Sequence, residues 1–186
     1  DNYLYDGETV CIGRKGTILV SRSKKQLNRE VNTEHNHQKD HPLTRKNFDL
    51  LLRVLGIKDE QNNLKPSMSA KYRQVNQFLR MIDAAWDECA ALNRTKDTDQ
   101  QQHVTVVDVG CGKAYLSFAV KGYLEATRNV KINFIGIDRN PKVIQSCTRM
   151  AETLGWSDSM SFVAEDIATF KPQTSLDIVL SLHACD

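Results

Sequence analysis

VTVVDVGCG, Val104 to Gly112, reads as a strand that runs into a glycine turn. Val104 to Val109 is an apolar, β-branched run broken by one acid, Asp108, and reads as a buried strand. Gly110 and Gly112 follow at once, and glycine lets the backbone take unusual dihedrals and approach a ligand closely. Lys113 to about Thr127 reads as a helix, so the turn lies where a strand passes into a helix. The first N–H groups of that helix have no partner within it, and its dipole presents a positive end.

After this helix the same alternation repeats. INFIGID (132–138) is a second strand, followed by a helix with Asn140 as its cap, Pro141 at its first position and Gly155 closing it. MSFVAED (160–166) and LDIVLSL (176–182) are a third and a fourth strand. Continuous apolar strands separated by helices predict a parallel sheet covered on both faces.

On the N-terminal side the pattern differs. TVCI and TILV flank GRKG (13–16) as a β-hairpin, and Phe48 to Leu55, closed by Gly56, is a short helix. Ser69 to Leu92 carries Tyr72, Val75, Leu79, Ile82, Trp86 and Cys89 at spacings of three and four, one helical stripe. KDEQNNLKPS (58–67) and NRTKDTDQQQH (93–103) are polar connectors. The chain thus divides into a small basic α+β region, 1–66, and an α/β unit, 67–186.

With 186 residues, 40% hydrophobic and 26% charged, the composition is globular and excludes a disordered chain. No apolar run reaches the roughly 20 residues that cross a bilayer, and no secretory pattern opens the chain. Cys11, Cys89, Cys111, Cys147 and Cys185 are odd in number and lack metal-ligand pairing, which predicts free thiols and a cytoplasmic protein. The chain begins at Asp1 and stops straight after an apolar strand, so its natural ends are expected outside it.

Three carboxylates mark a ligand crevice. Asp108, Asp138 and Asp166 stand at the carboxyl ends of three successive strands, the side on which open α/β sheets bind ligands. Asp138 can accept both hydroxyls of an adenosine ribose, and Asp166 can meet an adenine edge. A dinucleotide site competes for this reading. Its fingerprint needs a small residue at the third glycine position, where this chain has the bulky Tyr115. An acid before the glycines repels a pyrophosphate but suits an ammonium and a sulfonium. Charge therefore favours S-adenosylmethionine.

At this point the sequence resembles a class I S-adenosylmethionine-dependent methyltransferase. It is similar to a methyltransferase-domain family through KYRQV (71–75), DVGCGKAYL (108–116) and LHACD (182–186), a resemblance spanning about Ser67 to Asp186. It implies a Rossmann-like fold, incomplete here because the later strands are missing, which leaves LDIVLSL as an open sheet edge. It also implies that Asp108, Gly110, Cys111 and Gly112 line the methionine part of the cofactor, Asp138 the ribose, and Asp166 with Ile167 the adenine. Leu182 belongs to the same pocket, and Lys71 and Gln74 reach the cofactor carboxylate or the substrate. Ala114 stands where the family has glycine, a mild change of side chain.

Methyl transfer from a sulfonium is a direct displacement that needs alignment and dryness, with no metal. His183 is the candidate base and Asp186 its neighbour, while Cys111 and Cys185 lack a partner base for covalent catalysis. His35, His37 and His41 lie within seven positions, but no further ligand completes a zinc set and their neighbours are basic. Between Cys11 and Asn47, nine Lys/Arg face three acids. Segment 14–46 is accordingly read as a phosphate-contacting surface and RNA as the acceptor. A protein or small-molecule acceptor, or a catalytically silent binding module on the same fold, are the alternatives.

Overall fold

The computed structural model describes residues 2–5, 8–12, 18–22, 42–44, 48–92, 102–128 and 130–181. In chain order these form β1 (Asn2–Tyr5), β2 (Glu8–Ile12), β3 (Ile18–Arg22), α1 (Asp49–Val54), α2 (Ser69–Leu92) and β4 (Gln102–Val109). Then follow α3 (Tyr115–Thr127), β5 (Val130–Asp138), α4 (Pro141–Thr153), β6 (Met160–Ala164) and β7 (Ile178–Ser181). Short 3-10 turns occupy Pro42–Thr44 and Pro66–Met68.

All seven strands lie in one sheet, ordered β1-β2-β3-β7-β4-β5-β6. β7, β4, β5 and β6 are parallel neighbours, joined in sequence by α3 and α4, which makes this part Rossmann-like. The order runs from β4 through β5 to β6 and then reverses to β7 on the other side of β4. That reversal opens the crevice at the carboxyl ends of β4 and β7.

The edge expected to be bare at LDIVLSL is paired. β3 runs parallel to β7, from Ile18↔Ile178 to Ser21↔Ser181, and β2 and β1 continue the sheet antiparallel. The expected hairpin supplies that cover, with Ile12 opposite Ile18. Backbone groups of β7 that would face water thus find partners. The sheet crosses the division drawn at residue 66, since strands from both sides of it belong to one ladder.

One hydrophobic cluster takes residues from all four helices and from the sheet. Leu52 of α1, Phe78 and Leu79 of α2, Phe118 and Leu124 of α3, and Cys147 and Ala151 of α4 pack with Val106, Phe134 and Leu180. These helices therefore cover one face. On the opposite face Val107 of β4 and Ile137 of β5 are buried, while Lys131 and Asn133 at the start of β5 are exposed. The α2 stripe is wider than the spacing predicts, because Phe78, Met81 and Ala85 are buried with Val75, Leu79 and Ile82. Asn76 is buried within it, accepting from the Leu43 N–H at 2.9 Å and donating to the Tyr72 carbonyl at 2.8 Å. No helix among the described residues is long and apolar enough to cross a membrane.

Candidate active site

The glycine turn is built on the end of β5. The N–H groups of Gly110 and Cys111 both donate to the Ile137 carbonyl, at 2.8 and 2.9 Å. This folds the chain back across the neighbouring strand. Gly110 and Gly112 adopt φ of 73° and 52°, the left-handed region that side chains resist. A Cβ on Gly112 would meet no atom within 4 Å, so its Cα faces open space, as a ligand cradle requires. Ala114 also has a positive φ, 53°. The change from glycine is therefore mild in volume but strained in backbone, about 1 kcal/mol.

Asp138 closes the turn. Its Oδ2 accepts the Gly112 N–H at 2.9 Å and its Oδ1 accepts the Asn140 N–H at 2.9 Å. Each carboxylate oxygen keeps a lone pair, so two hydroxyls on adjacent carbons still find acceptors here. Asn140 caps α4 as the sequence predicts, its Oδ1 accepting from Lys142 and Val143.

Asp108 occupies a different environment. It is buried beneath the turn, and Ser117 in the first turn of α3 donates to its Oδ2 at 2.5 Å. Burial pushes this carboxyl up to about 7; the nearby Asp138 charge adds to the rise and the Ser117 hydrogen bond opposes it. The structure thus brings Asp108, Gly110, Cys111, Gly112 and Asp138 together, with Asp108 as a covered rather than an open member.

Asp166 follows β6, is exposed, and accepts the Ala168 N–H at 2.9 Å, with Arg139 Nη1 at 3.8 Å from its other oxygen. Ile167 is 42% exposed, a large apolar side chain of the kind an adenine face covers. Lys71 and Gln74 are joined at 2.8 Å, and the Lys71 ammonium lies 5.4 Å from the Tyr115 ring centroid. The start of α2 is therefore seated on the first residue of α3, next to the glycine turn. Leu182, His183, Cys185 and Asp186 lie outside the described residues, as do His35, His37, His41 and most of segment 14–46.

Ser117 and the seat that Tyr115 gives Lys71 do not follow from the sequence motifs. A signal existed for the first, since a serine interrupts the apolar run YLSFAV nine residues after Asp108. Among the described residues no cluster of His, Cys, Asp and Glu could hold a metal ion. A separate cleft of about 400 Å³ lies at the opposite end of the sheet, lined by His103, Lys121, Glu125, Lys131, Asn133 and Ser159 among others. Its Lys121 is buried and satisfied by Glu125 Oε1 and the Ile132 carbonyl, at 2.7 and 2.8 Å. The carboxylates and the glycine turn belong to the other end.

The chain belongs to a methyltransferase-domain family, whose model matches residues 70–186. No curated protein matches it. Among solved structures it is similar to an S-adenosylmethionine-dependent methyltransferase from Thiobacillus denitrificans in complex with S-adenosyl-L-homocysteine. That match has 21% identity, covers 45% of this chain and 32% of the other, and has a TM-score of 0.37. A Geobacter sulfurreducens methyltransferase, also with S-adenosyl-L-homocysteine, matches at 16% identity over 73% of this chain and 43% of the other, with a TM-score of 0.40. The chain therefore spans less than half the length of these structures.

Proposed function

We propose that this chain is the cofactor-binding part of an S-adenosylmethionine-dependent methyltransferase, with RNA as the acceptor. The observation that carries the cofactor is Asp138. Its carboxylate is oriented by two backbone N–H groups beside an open glycine turn, with acceptor capacity left for a ribose. The donor set fits the group. Gly112 leaves space for close approach, Ile167 offers an apolar face, and Asp166 offers an acceptor to an exocyclic amine. The KYRQV helix brings Lys71 and Gln74 to the turn, where an ammonium suits the cofactor carboxylate. Solved structures similar in outline carry S-adenosyl-L-homocysteine.

When bound, the cofactor supplies a methyl group on a positively charged sulfur. What the chain contributes is alignment and charge. Asp138 fixes the ribose, the turn fixes the methionine portion, and the Asp108 carboxylate beneath it favours a cation above. His183, which follows β7 by two residues, is the proposed base for an acceptor that loses a proton, with Asp186 its neighbour.

The acceptor rests on charge. Nine Lys/Arg between Cys11 and Asn47 make a strongly basic stretch suited to phosphates. In its support, β3 runs parallel to β7, so Arg22, its last residue, stands at the end of the sheet where the crevice opens. Labelled methyl transfer into total RNA or total protein extract tests this directly. Label in RNA alone is expected, and label confined to protein rejects the RNA acceptor. Calorimetry with S-adenosyl-L-homocysteine tests the cofactor, where absence of binding rejects it.

A further inference from the structure

The peptide groups of Gly112 are held on both sides. Its N–H donates to Asp138 at 2.9 Å, while its carbonyl accepts from the Cys147 thiol on α4, with sulfur and oxygen 3.4 Å apart. The Cys111 sulfur lies 3.8 Å from the same oxygen. Cys147 is completely buried. Its helix is tied back to the site, because Asn140 caps α4 with its side chain and donates its own N–H to Asp138. Asp138, Gly112, Cys147 and Asn140 thus form a closed circuit around the turn.

We infer that Cys147 is a positioning residue for cofactor binding, its S–H holding the Gly112 carbonyl towards α4 and so setting the orientation of the turn. The inference rests on the cofactor assignment above. The peptide between Gly112 and Lys113 is planar and trans, so the Lys113 N–H points opposite to that carbonyl, away from α4. Among the described residues no acceptor takes this N–H. A rotated Gly112 carbonyl would turn the donor away and present an acceptor instead.

The role needs a neutral thiol, and the site provides one. Burial pushes Cys147 up to about 12, with the Asp138 and Asp108 charges adding to the rise, so the proton stays on sulfur at neutral pH. Cys111 is also pushed up, mainly by burial. Neither thiol forms the thiolate that nucleophilic or disulfide chemistry requires. The pair is close to the turn yet chemically quiet, which leaves donation to the carbonyl as its contribution.

The test is calorimetric titration of S-adenosyl-L-homocysteine into the whole chain and two variants, with thermal melts in parallel. Cys147→Ala is expected to bind about fivefold more weakly, the scale of one net hydrogen bond. Cys147→Ser restores a donor and is expected within about twofold of the parent. The infrared S–H stretch of the ligand-free parent supplies a readout independent of any variant's folding. A hydrogen-bonded, red-shifted band that disappears in Cys147→Ala or Cys147→Ser supports the contact. Equal affinity of Cys147→Ala and the parent, a serine variant as weak as the alanine one, or an unshifted band overturns the inference alone. Absence of binding by the parent overturns the cofactor assignment beneath it.

Discussion

The Asp138 carboxylate and the Gly112 N–H are joined at 2.9 Å across 26 positions of sequence, linking the end of one strand to the turn after its neighbour. The residue proposed to hold the ribose therefore also shapes the turn proposed to hold the methionine portion. Asp138→Ala removes both functions. It leaves two backbone donors short of a partner, so stability is expected to fall by about 1–3 kcal/mol. Affinity for S-adenosyl-L-homocysteine is expected to fall at least about tenfold, beyond what the fraction unfolded explains. Urea unfolding and calorimetry on the same sample separate the two effects, and undiminished binding rejects the ribose role.

Asp108 gives the protein a pH dependence of definite sign. Its carboxyl is raised in the folded state to about 7 from 3.8, so the folded state holds the proton where the unfolded chain has released it. The stability this contributes is complete below about pH 4, declines as pH climbs, and is gone above about 7. Asp108→Asn is expected to flatten that slope in urea midpoints measured across pH 4–8. A cationic cofactor favours the ionised form, so parent affinity is expected to rise with pH through this window while the variant's stays level. A slope of the same size in parent and variant rejects the assignment to Asp108.

Much of this arrangement was legible because it depends on local rules. Val104 to Val109 and the two glycines specify strand then turn, and Asn140-Pro141 specifies the start of α4. What pairs with β7 was not legible. Ile18 to Ser21 and Ile178 to Ser181 meet through backbone hydrogen bonds across 160 positions, and no side-chain pattern encodes that partnership. The covered position of Asp108 was hidden for a related reason. The sequence places it at a strand end, but only the packing of α3 turns Ser117 onto it and shuts out water.

Gly136 is fixed by a neighbour no sequence pattern reveals. A Cβ there would lie 2.5 and 2.7 Å from ring carbons of Phe162 and 3.2 Å from the Cys111 sulfur. The Phe162 ring stacks on Phe118 at 5.6 Å, so it cannot swing clear freely. Gly136→Ala is expected to cost about 1–3 kcal/mol by overpacking. Adding Phe162→Ala, which removes both obstructing ring carbons, should make the alanine at 136 cheaper than in the parent background. A double-mutant cycle in urea measures this, and strict additivity rejects the steric explanation.

Lys71 can be tested by the part of the ligand it is proposed to meet. Its ammonium is bonded to Gln74 at 2.8 Å and rests near the Tyr115 ring, at the edge of the glycine turn. An ammonium there attracts a carboxylate and gains nothing from a ligand without one. Lys71→Met keeps the length of the aliphatic stem, so the helix stripe and the fold should survive with little change in melting temperature. Its affinity for S-adenosyl-L-homocysteine is expected to fall about tenfold, the scale of one charge-assisted hydrogen bond. Methylthioadenosine, which has the adenine, ribose and sulfur but lacks the carboxylate, should bind parent and variant alike. If both ligands weaken together, Lys71 supports the shape of the pocket instead of reading the carboxylate. If neither weakens, the KYRQV helix belongs to the acceptor side of the crevice.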